Sequence, residues 1–174
     1  EVTQLALALL CAHRRGLFDA PLPEGRPLRV VSLGGGPGYE LLAVRRFFTS
    51  VLGVEESGLE LINTDIQPTW REYSEALGFG FRVFDAFDGS LETVCGFDSP
   101  SQIDYVIISY VLIYIAKQKG HPQHEAVCDE LKRLLDSGVR AILVSERSEE
   151  TPGCEMIEAR GVAVERLIEQ SLGK

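Results

Sequence analysis

The residues of this sequence best suited to bind a ligand are the glycines of one short turn. The turn follows an apolar run, Val30 to Leu33, and contains Gly34, Gly35, Gly36 and Gly38, of which the first, third and fourth alternate along the chain. Glycine tolerates the backbone conformations of a sharp turn and has no Cβ, so a ligand can approach the main chain closely. Pro37 suits the first turn of a helix. The pattern predicts a buried strand, a ligand-binding turn and a helix.

The spacing of these glycines excludes two common kinds of nucleotide site. A dinucleotide-binding turn has the pattern Gly-x-Gly-x-x-Gly, but its last position is Tyr39 counted from Gly34 and Leu41 counted from Gly36. A phosphate-binding Gly-x-x-x-x-Gly-Lys loop needs a lysine, and none lies near the turn. A nucleotide-linked oxidoreductase is therefore disfavoured.

Strands and helices alternate along the chain and would position this turn. Hydrophobic periodicity predicts strands over 30–33, 59–66, 81–85, 103–110 and 139–146, and helices over 2–15, 38–51, 70–77 and 124–135. Residues 89–102 are predicted to be irregular with one helical turn. The alternation is typical of a parallel α/β sheet with helices on both faces. Ligands bind such sheets beyond the carboxyl ends of the strands.

The strand and its Gly-x-Gly-x-Gly turn resemble motif I of the class I S-adenosylmethionine-dependent methyltransferases, from Val30 to Gly38. The resemblance continues in order to Glu146 and implies a three-layer Rossmann-like methyltransferase fold, with S-adenosylmethionine as cofactor. Ser32 stands where the family usually has an acidic residue that contacts the methionine amino group, so this contact is left open.

The length of 174 residues favours one domain. We divide it into an N-terminal helix and connector (1–27), a cofactor-binding core (28–146) and a C-terminal segment (147–174). The resembling family usually ends its sheet with an antiparallel hairpin. Residues 147–174 suffice for one strand or one helix, so the hairpin is expected to be incomplete or to need further residues.

Asp65 ends the second predicted strand and is followed by Ile66. A carboxylate here can accept hydrogen bonds from both hydroxyls of an adenosine ribose. In the resembling family this acid does so, and the next residue packs on the adenine. Asp65 could instead cap the turn at Gln67, as aspartates often do. The ribose role is favoured because of the preceding glycine turn.

Asp85 ends the third predicted strand and is followed by Ala86. The resemblance implies that the carboxylate accepts the adenine amino group and that the Ala86 N–H reaches a ring nitrogen. The alternative is that Asp85 is a loop residue at a strand exit, with the turn itself at Asp88 and Gly89.

Ser109 and Tyr110 end the fourth predicted strand, and Asp104 lies near its start. This strand is similar to the family's motif IV, which implies that Ser109 and Tyr110 lie where cofactor and substrate meet. Tyr110 and Tyr114 are the candidates near the methyl acceptor, although both could be ordinary half-buried aromatic residues. The sequence identifies no catalytic base.

Composition and charge limit the partners. The chain is 45% hydrophobic and 25% charged, as in globular proteins, and has no apolar run long enough to span a bilayer. A net charge of −9 disfavours an intrinsic nucleic-acid-binding surface. The N-terminal residues have no signal-peptide character. We expect an intracellular protein, cytoplasmic rather than nuclear, whose acceptor is an RNA, a protein or a small molecule.

The cysteines and histidines do not predict a metal site. Four widely separated cysteines include no Cys-x-x-Cys pair, which indicates reduced thiols. His121, His124 and Cys128 could face one another, but a fourth ligand is missing, and a polar helix entry is favoured.

The function predicted from these patterns is S-adenosylmethionine-dependent methyl transfer. The alternative is a methyltransferase-like binding or regulatory protein without turnover. Detection of a methylated product would separate the two.

Overall fold

A parallel β-sheet organises the fold. The computed structural model describes residues 2–111 and 122–145, and within these residues the sheet has five strands. They are β1 (Leu28–Leu33), β2 (Leu59–Asp65), β3 (Gly80–Val83), β4 (Tyr105–Ser109) and β5 (Ala141–Ser145). Their spatial order is β3-β2-β1-β4-β5, and each neighbouring pair is parallel. The strand order therefore reverses between β1 and β4.

Helices connect the strands. In the described residues they are α1 (Val2–Arg14), α2 (Tyr39–Ser50), α3 (Arg71–Ala76), α4 (Leu91–Cys95) and α5 (Pro122–Asp136). Short 3₁₀ turns lie at Glu56–Gly58, Pro68–Trp70 and Pro100–Gln102. None of the helices described is long and apolar enough to cross a membrane.

Two apolar clusters cover the two faces of the sheet. Val30 of β1 packs in one cluster with residues of α1 and α2, while its neighbour Val31 packs in the other with residues of α4 and α5. Successive side chains of a strand point to opposite faces, so β1 is buried on both sides. Helices thus flank the sheet on both faces, which confirms the predicted three-layer α/β fold. The C-terminal segment (147–174), for which we expected an incomplete hairpin, lies outside the described residues.

Most element boundaries agree with the sequence predictions within two or three residues, but β3 is shorter than predicted. We expected a strand over 81–85, and the structure ends β3 at Val83. Beyond it, the N–H of Asp88 donates to the carbonyl of Asp85, which closes a turn. Asp85 therefore lies in a turn after the strand. The turn comprises residues 85–88. It therefore begins three residues earlier than the alternative interpretation, which placed it at Asp88 and Gly89.

Asp104 lies at the edge of the sheet opposite the glycine turn. It precedes β4, is 2% exposed, and its carboxylate forms ion pairs with Arg26 and Arg140. The same carboxylate accepts the backbone N–H of Arg29. Because these contacts join segments beside β1, β4 and β5, Asp104 holds the amino ends of the central strands together. Its position excludes direct contact with a ligand at the carboxyl ends.

Candidate functional site

A cavity of about 600 Å³ opens at the carboxyl ends of the strands. It adjoins the ends of β1 and β4, between which the strand order reverses, where ligands bind in such sheets. The predicted site residues that line it are Gly34, Gly35, Gly36, Asp65, Ile66, Asp85, Ala86, Ser109 and Tyr110. Gly38 does not line it and instead caps α2. Tyr114 lies outside the described residues.

The glycine turn needs its glycines for different reasons. Gly34 and Gly36 have φ values of 67° and 51°, in the left-handed region that side chains disfavour. A Cβ on Gly34 would collide with Val111, whereas the nearest atoms to a Cβ on Gly36 are those of the Trp70 indole at 3.9 Å. Gly36 therefore faces space that a ligand could occupy.

The turn is fixed to the end of β2 by three hydrogen bonds. The N–H of Gly36 donates to Oδ2 of Asp65 at 2.9 Å, and its carbonyl accepts from Nδ2 of Asn63 at 2.8 Å. The N–H of Gly35 donates to the carbonyl of Thr64 at 3.0 Å. With both polar groups of Gly36 held, the turn is preorganised. Asn63 was missed by the sequence reasoning, because nothing in its position distinguishes it from other strand residues.

Asp65 makes the capping contact that its alternative interpretation predicted. Its Oδ1 accepts the N–H of Gln67 at 2.8 Å, while Oδ2 accepts that of Gly36. Asp65 is 9% exposed and still lines the cavity. A carboxylate has about four acceptor positions, so these two bonds leave room for ligand hydroxyls. The ribose role stays a prediction.

Asp85 and Ala86 line the cavity from the turn after β3. Oδ1 of Asp85 accepts the N–H of Phe87 at 2.9 Å, as in a local aspartate turn. This hydrogen bond agrees with the interpretation of Asp85 as a loop residue. The position of Asp85 at the cavity wall is also compatible with adenine binding. Its role toward a ligand stays a prediction.

Tyr110 is held in an unusual conformation at the end of β4. Its φ of 59° makes it the non-glycine residue with a positive φ in the described part of the chain. Such strain costs about 1–3 kcal/mol and is concentrated at functional sites. The phenol O–H donates to Oε1 of Gln4 in α1 at 2.6 Å. Tyr110 thus links α1 to the cavity wall, and its hydroxyl is engaged by another residue.

Glu40 is a cavity residue that the sequence reasoning missed. It follows the glycine turn in the first turn of α2, is 9% exposed and lines the cavity. The hydroxyl of Ser32, which is fully buried, donates to its Oε1. The signal in the sequence was an acidic residue two positions after Gly38. The resemblance to motif I instead indicated position 32 as the place for an acidic residue.

Trp70 was also missed, and it lies beside the glycine turn. Its indole contacts the space next to Gly36, and its ring packs on that of Tyr73 with centroids 5.8 Å apart. Ile66, which is 53% exposed, lines the same cavity. Ile66 and Trp70 together give the cavity an apolar and aromatic wall on the β2 side.

The described lining of this cavity contains no cysteine and no histidine. In the part of the chain that the structure describes, no group of three His, Cys, Asp or Glu residues could hold a metal ion. His121 and the side chain of His124 lie outside that part, and Cys128 is buried in α5. Burial raises the pKa of the Cys95 thiol to about 12, so this residue stays protonated at neutral pH.

Comparison with known proteins supports the fold. No protein-family profile and no curated sequence matches the chain. Among solved structures, it is similar to a TehB-like SAM-dependent methyltransferase from Corynebacterium glutamicum, with 12% identity, a TM-score of 0.52, and coverage of 89% of this chain and 71% of that chain. The CurJ carbon methyltransferase has 18% identity and a TM-score of 0.51, over 79% of this chain and 34% of that chain.

A third similar structure is the plantazolicin methyltransferase BpumL in complex with SAH, with 13% identity and a TM-score of 0.50. The match covers 85% of this chain and 49% of that chain. The chain spans about a third of the length of the CurJ enzyme and of the citrinin polyketide synthase CMeT domain, which it also resembles. These similarities confirm the predicted class I methyltransferase fold.

Proposed function

We propose that this chain, which has a class I methyltransferase fold, binds S-adenosylmethionine in the cavity and transfers its methyl group to an acceptor. The observation that carries the proposal is the arrangement around Gly36. A fixed turn presents open space beside this residue, and the carboxylates of Asp65 and Asp85 line the same cavity from the two neighbouring strand ends.

The sheet order supports an extended adenosine across these strand ends. Asp85 follows β3, Asp65 ends β2, and the glycine turn follows β1, in the order in which the three strands lie side by side. An adenine near Asp85, a ribose at Asp65 and an amino-acid end at the glycine turn match this order. Ile66 and Phe84 supply apolar surface for the base.

The charge of the cavity also fits this ligand. Its described lining includes the carboxylates of Glu40, Asp65 and Asp85 and contains no Lys, Arg or His. Opposite charges attract and like charges repel within a few ångströms. The lining therefore favours a cationic sulfonium compound over a dinucleotide, whose pyrophosphate would meet the carboxylates.

When bound, S-adenosylmethionine supplies an already activated methyl group. The residues of this chain then need to orient the ligand and exclude water, and holding reactants in line supplies much of a rate enhancement. A general base is required only when the acceptor must lose a proton. Tyr110, at the β4 side of the cavity, positions the acceptor in this proposal.

For the methyl acceptor we propose a chemical class and no individual compound. The CurJ protein is a carbon methyltransferase and BpumL a plantazolicin methyltransferase, so similar folds serve different acceptors. For this chain, a small molecule or a protein suits the net charge of −9 better than an RNA. Incubation with labelled S-adenosylmethionine and fractionated extracts tests turnover. Binding without any labelled product would favour the regulatory alternative.

Thermal unfolding separates adenosine from dinucleotide recognition. S-adenosylhomocysteine is expected to raise the melting temperature because it binds only the folded state. At a hundredfold excess over Kd the stabilisation is about 2.7 kcal/mol, which amounts to several degrees. NAD at the same concentration is expected to cause no shift. The reverse ranking would favour an oxidoreductase.

Tryptophan fluorescence should report the same binding event. Trp70 is the one tryptophan in the sequence, and its indole lies beside Gly36. Because a ligand at Gly36 changes the solvent around this ring, titration with S-adenosylhomocysteine is expected to change the emission saturably. Trp70→Phe should remove the signal while calorimetry still detects binding. Binding by calorimetry with unchanged emission would place the ligand away from Gly36.

A further inference from the structure

Two neighbouring elements hold Tyr110 in place at the β4 side of the cavity. Its backbone N–H donates to the carbonyl of Ser145, the last residue of β5, at 3.0 Å. Its phenol O–H donates to Oε1 of Gln4, in the first turn of α1, at 2.6 Å. A side chain at a φ of 59° is strained and persists only where its surroundings fix it. Since Tyr110 lines the cavity, α1 and β5 both help to shape the cavity wall.

The bond to Gln4 decides how the Tyr110 hydroxyl can meet a ligand. A phenol has one hydrogen to donate, and its oxygen can also accept. The hydrogen is donated to the amide oxygen of Gln4. Toward any further group, the phenol oxygen can therefore act only as an acceptor. The face of the aromatic ring is electron-rich as well and attracts cations. Held by Gln4, the Tyr110 side chain is thus suited to lie beside positive charge.

The strand order places Tyr110 near the sulfonium of the proposed ligand. β1 lies between β2 and β4 in the sheet. With the ribose at Asp65 and the amino-acid end at the glycine turn, the sulfur that joins them would lie beside the end of β1. Tyr110 follows the neighbouring strand β4, and the next residue, Val111, would collide with a Cβ on Gly34. The segment that carries Tyr110 therefore contacts the glycine turn directly.

We propose that Gln4 is a positioning residue, which holds Tyr110 with its ring and its phenol oxygen toward the sulfonium of bound S-adenosylmethionine. This inference rests on the proposed function and extends the site to α1, outside the cofactor-binding core at 28–146. The sulfonium is positively charged, whereas the thioether of S-adenosylhomocysteine is neutral. The pair of Gln4 and Tyr110 therefore favours the methyl donor over the product that remains after methyl transfer.

Calorimetry with S-adenosylmethionine and S-adenosylhomocysteine tests this role. Gln4→Leu removes the acceptor oxygen and keeps a side chain of similar size. It is expected to lower the ratio of the S-adenosylmethionine affinity to the S-adenosylhomocysteine affinity by roughly two- to tenfold, the range of one neutral hydrogen bond. The affinity for S-adenosylhomocysteine should change little. Gln4→Glu keeps an acceptor oxygen, so its ratio should equal or exceed that of the wild type.

A matched control removes a polar side chain from the same turn of α1. Thr3 is exposed beside Gln4 in the sequence and does not line the cavity. Thr3→Leu should therefore leave both affinities unchanged. A general loosening of α1 would weaken both ligands alike. Equal losses for the two ligands in Gln4→Leu, or an unchanged ratio, would overturn the role of Gln4.

A double-mutant cycle tests whether Gln4 acts through Tyr110. Tyr110→Phe keeps the ring and removes the hydroxyl, so it should lower the affinity ratio about as much as Gln4→Leu. The protein with both substitutions should have a ratio no lower than that of either single variant. Additive losses would overturn the proposal, because Gln4 would then act independently of the Tyr110 hydroxyl.

The wild-type protein separates this inference from the proposed function. If it binds neither ligand, the cofactor proposal fails, and the role of Gln4 fails with it. If it binds both and Gln4→Leu leaves the ratio unchanged, the cofactor site stands and the role of Gln4 is wrong. A ratio that falls in Gln4→Leu and in Tyr110→Phe, without further loss in the double variant, supports both.

Discussion

Gly36→Val is expected to abolish S-adenosylhomocysteine binding while the unliganded protein stays folded. The added side chain would enter the open space beside Gly36, where the proposed ligand lies against the main chain. Its nearest protein neighbour is the Trp70 indole, at an ordinary contact distance of 3.9 Å from the Cβ. The steric conflict therefore arises with the ligand, and calorimetry should detect no heat of binding.

The left-handed backbone of Gly36 makes a matched control necessary. A side chain at positive φ costs about 1–2 kcal/mol whatever surrounds it. Gly53 has a φ of 68°, with no atom within 4 Å of a Cβ, and it lies outside the cavity lining. Gly53→Val should lower the melting temperature about as much as Gly36→Val but keep the wild-type affinity. Normal affinity in Gly36→Val would move the site away from the turn.

The glycine turn and its strand were predictable because both signals are local. A β-branched apolar run followed by closely spaced glycines leaves few alternatives to a buried strand and a tight turn. The convergence of Asp65 and Asp85 followed from one general property, since parallel strands that alternate with helices end at the same edge. These arguments need sequence order and no knowledge of side-chain conformation.

Other features of the site depend on contacts that sequence order does not reveal. The bond from Tyr110 to Gln4 joins residues 106 positions apart, and Asn63 holds Gly36 across 27 positions. The approach of Glu40 to Ser32 depends on the path of the turn and on one side-chain rotamer. The end of β3 was misjudged because the aspartate turn at Asp85 competes with strand pairing, and periodicity does not weigh that competition.

The second large expected effect concerns Asp65, for which we propose a ribose-binding role in addition to its observed contacts with the backbone. Its carboxylate fixes the N–H groups of Gly36 and Gln67, so Asp65→Ala should lower the melting temperature even without ligand. Affinity loss alone would therefore not separate ribose binding from a distorted turn. A comparison of ligands within each variant does separate them, because the distortion is common to both ligands.

In the wild-type protein, S-adenosylhomocysteine is expected to bind roughly tenfold or more tightly than its 2′,3′-dideoxy analogue, since hydrogen bonds to a charged group contribute about 1.5–3 kcal/mol each. Asp65→Asn and Asp65→Ala should weaken the binding of both ligands and remove most of this preference. The loss of preference should be more complete with alanine than with asparagine. Asp85→Asn, which changes a neighbouring cavity carboxylate, should keep the preference. If calorimetry finds the full preference in Asp65→Ala, the ribose hydroxyls are bound elsewhere, and Asp65 serves only to hold the glycine turn.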